Sequence, residues 1–133
     1  MANYITTTDG TADISDAAGT DQYLITAALA GKINVSKSFV NFTEATGSQT
    51  GTTGTLTLTV GGNVIGTMTA SQGGAAGECI VFTYDGTYTT GADPWYPIAV
   101  GDDILVEVGT QATGGTVTGD GSLNLCIEWD VGA

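Results

Sequence analysis

Residues 55–69 read TLTLTVGGNVIGTMT. Leu56, Leu58 and Val60 hold one phase of a period-two pattern and threonines hold the other, which describes a strand with one apolar face. Gly61 and Gly62 supply the two positive-φ residues that a tight reversal needs, and the pattern resumes at Asn63. The stretch is a β-hairpin, and similar alternation recurs on both sides of it.

Downstream, CIVFTYD (residues 79–85) alternates Ile80, Phe82 and Tyr84 with Cys79, Val81 and Thr83, as expected of a strand at least partly covered on both faces. ILVEV directs Ile104, Val106 and Val108 inward and Leu105 and Glu107 outward. LNLCIEW puts Leu123, Leu125, Ile127 and Trp129 on one face, with Asn124, Cys126 and Glu128 on the other. Upstream, YLITAAL opens a strand at Tyr23, Gly31 turns it, and KINVSKSFVNF follows. In that last run Ile33, Val35 and Phe39 share a phase while Val40 and Phe42 take the other. The strand is therefore either buried on both faces or bulged near residues 36–38. The polar runs EATGSQTGTTG and SQGGAAGE are loops. In GTYTTGADPWYPIAVGDD, Pro94 and Pro97 fix φ and remove donors, which places Trp95 and Tyr96 on a stiff bend.

The count comes to about eight strands in one all-β domain, a sandwich or barrel. Residues 1–20 carry only Ile5 and Ile14 as isolated apolar anchors and read as an N-terminal arm or edge strand; residues 21–133 form the β-sandwich domain. Threonine outnumbers even the 21 glycines, a pairing of strand former and turn former that leaves little material for helices. Several strands offer apolar residues to both faces (Phe39 with Val40, Val81 with Phe82, Leu105 with Val106). The surplus calls for cover by loops or by further copies of the chain.

Composition removes whole classes of function. Fourteen Asp and Glu stand against two lysines, Lys32 and Lys37, with no arginine or histidine, for a net charge of −12. Such a surface repels phosphate backbones and anionic lipid, so neither nucleic acid nor membrane is an expected partner. No apolar run approaches the roughly 20 residues of a membrane span, and the start of the chain lacks the pattern of a secretory signal, so synthesis in the cytoplasm is expected. Without histidine or arginine there is no His-based triad, no HExxH metal site and no guanidinium clamp. The carboxylates Asp102, Asp103, Glu107 and Asp120 could in principle serve as a glycosidase pair, but Asp102 and Asp103 directly before a strand read as a solvated turn, and the chain is not expected to be an enzyme. Asp9, Asp13 and Asp16 crowd one segment without the alternating spacing of an EF-hand; a solvated acidic stretch is the reading, with no cofactor and no metal. Cys79 and Cys126 are too few for a disulfide framework and are read as free, packed thiols. The NVS and NFT tripeptides at Asn34 and Asn41 read as chance matches to a glycosylation pattern.

Two binding surfaces remain. One is the segment at the N-terminus, Tyr4, Ile5, Thr6, Thr7 and Thr8 with Ile14, whose β propensity suits strand addition to a sheet edge. The other is the aromatic group Tyr88, Trp95 and Tyr96 on the proline-flanked loop. It would serve as a protein contact or, in an alternative reading of the chain as a glycan-binding module or viral fibre tip, as a sugar platform.

From Pro97 onward the sequence PIAVGDDILVEVGTQATGGTVTGDGSLNLCIEW resembles the closing half of the jelly-roll capsid decoration, or cement, proteins of tailed bacteriophages. The likeness lies in an order of features: a GD turn at Gly101 and Asp102, a short alternating strand, a Thr/Gly loop containing GGTVTG, and a final alternating strand. The resemblance implies a jelly-roll-like antiparallel β-sandwich with an extended N-terminal arm, assembled as a homotrimer. It also implies a virion structural protein that binds the major capsid protein on the capsid exterior and stabilises the shell by bridging contacts. It carries over no catalytic residue.

Overall fold

The computed structural model describes residues 3–7, 11–43, 51–71, 74, 76–89, 92–114 and 120–130. Every regular element among them is a strand: β1 (Asn3–Thr6), β2 (Ala12–Asp13), β3 (Asp21–Thr26), β4 (Gly31–Phe42), β5 (Thr55–Val60), β6 (Asn63–Thr69), β7 (Cys79–Val81), β8 (Thr83–Tyr84), β9 (Trp95–Ile98), β10 (Asp103–Thr110) and β11 (Asp120–Trp129). All pairings are antiparallel. Sheet I runs β1-β11-β4-β7, with β2 also on β11 and β9 also on β4; sheet II runs β3-β10-β5-β6-β8. The two form the expected all-β sandwich.

Sheet II follows the alternation closely. Leu56, Leu58 and Val60 on β5 and Ile104, Val106 and Val108 on β10 are buried, while the threonines of β5 line the other face. Gly61 and Gly62 make the hairpin turn at φ +58 and +85, values an L side chain adopts only with strain. Opposite them, sheet I contributes Ile33, Val40, Phe42, Leu123, Leu125 and Ile127 to the same core. Each such side chain, fully buried, stabilises the fold by about 1.5–3 kcal/mol.

The phase break in β4 is a bulge. Asn124 pairs Phe39 and Cys126 pairs Asn34, so residues 35–38 are looped out of the ladder against Leu125 alone. The bulge turns its own polar groups into a knot. The Ser38 hydroxyl donates to the Asn34 carbonyl (2.8 Å) and accepts from the Cys126 N–H (3.1 Å), while Asn34 Oδ1 accepts from the Lys37 N–H (3.1 Å). Asn34 and Ser38 are buried, so these bonds replace hydration that both would otherwise lose. With its side chain engaged here, Asn34 has no surface on which to carry a glycan. Val35 projects inward and fills the space above Gly66, where an added Cβ would come within 2.6 Å of its Cγ1.

Several expectations are corrected. Among the described residues eleven strands appear instead of about eight because outer strands are interrupted: β1 and β2 both follow β11, and β7 and β9 both follow β4. The strand from Tyr23 stops at Thr26, and Gly31 opens β4 where its missing Cβ lets the Glu128 carbonyl approach, at 2.5 Å from the position a Cβ would take. The CIVFTYD run is not one strand but two, β7 and β8. It leaves sheet I for sheet II at buried Phe82, whose N–H donates to the Ser38 carbonyl (2.9 Å), and Val81 stays 53% exposed. Trp95 and Tyr96 lie in β9, not on a bend; at this edge position Pro97 is compatible with pairing to β4. Ile14, expected to contact a partner, is in the core together with Ala12. It packs against Gly54 and Ala112 and offers no surface.

Candidate interaction surface

The registers place side chains on the outer face of sheet I in rows. Tyr4, Cys126, Asn34 and Trp95 form one row; Thr6, Asn124, Phe39 and Val81 form the next. Tyr4 is 50% exposed and meets Phe39 edge to face at 5.9 Å between ring centroids, with buried Cys126 beside it in the row. Burial against the sheet, with a smaller contribution from Cys126, raises the Tyr4 phenol above its ordinary pKa of 10.0. Across the face, Lys32 lies 4.8 Å from the Trp95 ring centroid and 3.9 Å from Glu128. That ion pair is exposed and adds at most about 1 kcal/mol. Lys37 projects from the bulge, exposed. Both cationic side chains of the chain therefore stand on this one side, among aromatic and aliphatic groups.

At the margin of the face, β1 is an edge strand. Thr7 N–H donates to the Leu123 carbonyl (3.0 Å), and in an antiparallel ladder its alternating neighbours Asn3 and Ile5 do likewise, so the N–H groups of Tyr4 and Thr6 point away from the sheet. Ile5 packs against the core, and Thr6 Oγ1 donates to Asn124 Oδ1 (3.0 Å). Thr8 lies outside the described residues.

The aromatic group does not converge. Strand alternation sends Trp95 to the outer face and Tyr96 to the other side, where its hydroxyl accepts from Asn63 Nδ2 (2.9 Å) and its ring meets Tyr88 edge to face at 5.9 Å. Tyr88 and Tyr96 are a pair from which Trp95 is separated. The carboxylates considered for catalysis are dispersed as well. Asp102 Oδ2 accepts from the Ala99 N–H (2.9 Å) within a turn, Glu107 is on the outer face of sheet II, and Asp120 begins β11 in sheet I. Asp13 Oδ1 accepts from the Ser15 N–H (2.9 Å) and Asp16 Oδ2 accepts from Gln22 Nε2 (3.0 Å), so both serve local turn structure. Asp9 lies outside the described residues. Cys79 and Cys126 are free thiols on the outer face of sheet I; Cys126 is packed as expected, but Cys79 is exposed. An apolar hollow of about 160 Å³ lies between the β3–β4 connection, including Ala27, Ala28 and Leu29, and Trp129.

Sequence reading missed the assembled face itself. Its residues come from β1, β4, β7, β9 and β11, and only the register makes them neighbours. No family model, curated protein or solved structure matches this chain.

Proposed function

We propose that this chain is a virion structural protein of the capsid decoration type, binding the major capsid protein on the outside of a tailed-phage shell and stabilising the assembled state. The observation that carries the reading is the edge of β1, which has no strand beside it among the described residues and turns two N–H groups outward next to a half-exposed tyrosine. An extended segment of a partner can add to such an edge through main-chain hydrogen bonds. The strand order supports the same reading. Counting β1 with β2, and β7 with β9, as single interrupted strands and setting aside two-residue β8, sheet I orders the first, eighth, third and sixth strands and sheet II the second, seventh, fourth and fifth. That interleaving is the one expected of a jelly roll. A subunit that bridges neighbouring capsid proteins binds only the assembled shell and stabilises it by mass action.

Removing the whole N-terminal segment is a poor test, because Ala12 and Ile14 belong to the core. Thr6→Pro is better: it deletes one outward N–H and leaves the N–H groups bonded to β11 intact. Thr6→Ala is the control, since it keeps the N–H and loses the hydroxyl. In co-sedimentation with mature empty shells, Thr6→Pro should lose binding at least about tenfold while Thr6→Ala keeps it. Full binding by a folded Thr6→Pro protein would end the strand-addition reading.

A further inference from the structure

The outer face of sheet II differs chemically from that of sheet I. Leu24, Leu105, Thr59 and Val64 form a row across four strands, with Leu24 52% and Val64 39% exposed. Asp103 and Glu107 lie on the same face of β10, on either side of Leu105, and Asp21 pairs Glu107 from β3. No cationic side chain stands there, because both lysines are on the sheet I side.

We propose that the outer face of sheet I binds the outer face of sheet II on a second copy of this chain. Two copies with a net charge of −12 each repel one another in most orientations. Pairing sheet II with sheet II sets carboxylates against carboxylates, and pairing sheet I with sheet I leaves Lys37 without an opposite charge, since Glu128 is already matched by Lys32. Only the mixed pairing brings Lys32 and Lys37 to Asp103, Glu107 and Asp21. It also covers the Tyr4, Phe39 and Val81 patch with the Leu24, Leu105 and Val64 row, so apolar burial and charge agree on one orientation. The interface is heterologous, using different patches on the two partners, and repeats of it close into a ring if the rotation permits. The inference stands apart from the capsid reading, since copies associate in this way with or without a shell.

Charge exchange tests it. Lys37 is exposed and makes no side-chain hydrogen bond or ion pair among the described residues; the side chain of Glu107 is likewise unpaired there. Reversing either leaves the sandwich intact. Sedimentation velocity of the full chain at about 100 µM and about 150 mM salt, where the net repulsion between copies is screened beyond about 8 Å, should show self-association. Lys37→Glu and Glu107→Lys should each weaken it at least about tenfold. Mixed in equal amounts, the two variants should regain association, because each reversed face then meets an opposite charge. A wild-type monomer under these conditions, reversals without effect, or a mixture no more associated than its components would each overturn the proposal. Thr6→Pro leaves the charged residues of both faces unchanged, and Lys37→Glu leaves the N–H groups of β1 unchanged, so failure of capsid binding and failure of self-association are read separately.

Discussion

In sheet II the strands are mostly regular, partly covered threonines on the outer face of β5 back an aliphatic inner face, and the backbone hydrogen bonds run across the ladder with single-residue irregularities. Sheet I buries a comparable aliphatic inner face, but its long strand β4 is broken by a looped-out segment, its margins are interrupted, and rings cover part of its outer surface. The contrast shows what an unbroken period-two pattern accomplishes and what a broken one requires. Where phase is kept, burial and hydrogen bonding are satisfied together. Where it slips, a polar knot (Asn34, Ser38 and the Cys126 N–H) must satisfy groups that the ladder leaves behind.

The largest expected effects test whether the inner faces are equivalent. Leu58→Ala in sheet II and Leu125→Ala in sheet I both truncate buried leucines and should each cost about 2–5 kcal/mol in denaturant unfolding. A cost below about 1 kcal/mol at Leu125 alone would show that the bulged sheet packs loosely. A smaller effect sharpens the difference between the sheets. Ser38→Ala strands the Cys126 N–H and the Asn34 carbonyl and should cost about 1–3 kcal/mol, whereas Thr57→Ala on the outer face of sheet II should stay within about 0.5 kcal/mol. Equal costs at the two sites would remove the case for a structural knot.

The smallest effect concerns the ring cover on sheet I. The folded Tyr4 phenol has a pKa above its unfolded value, so the folded state binds more protons between the two. Its contribution to stability is whole below about pH 10 and is lost as pH rises through the folded-state pKa. Titration of tyrosine absorbance should show a late-ionising phenol that is absent from Tyr4→Phe. An unchanged titration curve in that variant would place Tyr4 in open water.

Much of the fold was legible in the sequence because the strongest strands are long and strictly alternating. The hairpin about Gly61 and Gly62, the inward residues of β10, and Leu123, Leu125 and Ile127 of β11 follow from period and turn chemistry alone. The bulge was legible as an alternative, since Val35 and Val40 demanded either two buried faces or an extra stretch of chain. The transfer of chain at Phe82 was not, because a strand that leaves one sheet for another shows the same alternation as one buried between layers. Pro97 concealed β9: a proline argues against a central strand and is silent about an edge. Ile14 was misplaced because an isolated apolar residue among aspartates and small residues carries no period. The outer face of sheet I was invisible for a further reason, since Tyr4, Phe39, Val81 and Trp95 become neighbours only through pairing between distant strands.

The slots taken by β10 and β11 have a consequence in time. β10 lies between β3 and β5, and β11 lies between the β1 and β2 pair and β4, so the last two of the described strands to emerge during synthesis are interior members of the two sheets. Until they arrive, β1, β2 and β3 lack their ladder partners and the inner faces of β4 and β5 lack neighbours on one side. Contacts that must await such distant partners make folding slow, since loop closure precedes the energy that rewards it. A nascent chain of this design keeps open strand edges until β10 and β11 are made, and its solubility in that interval rests on the same excess of carboxylates that clothes the finished sandwich.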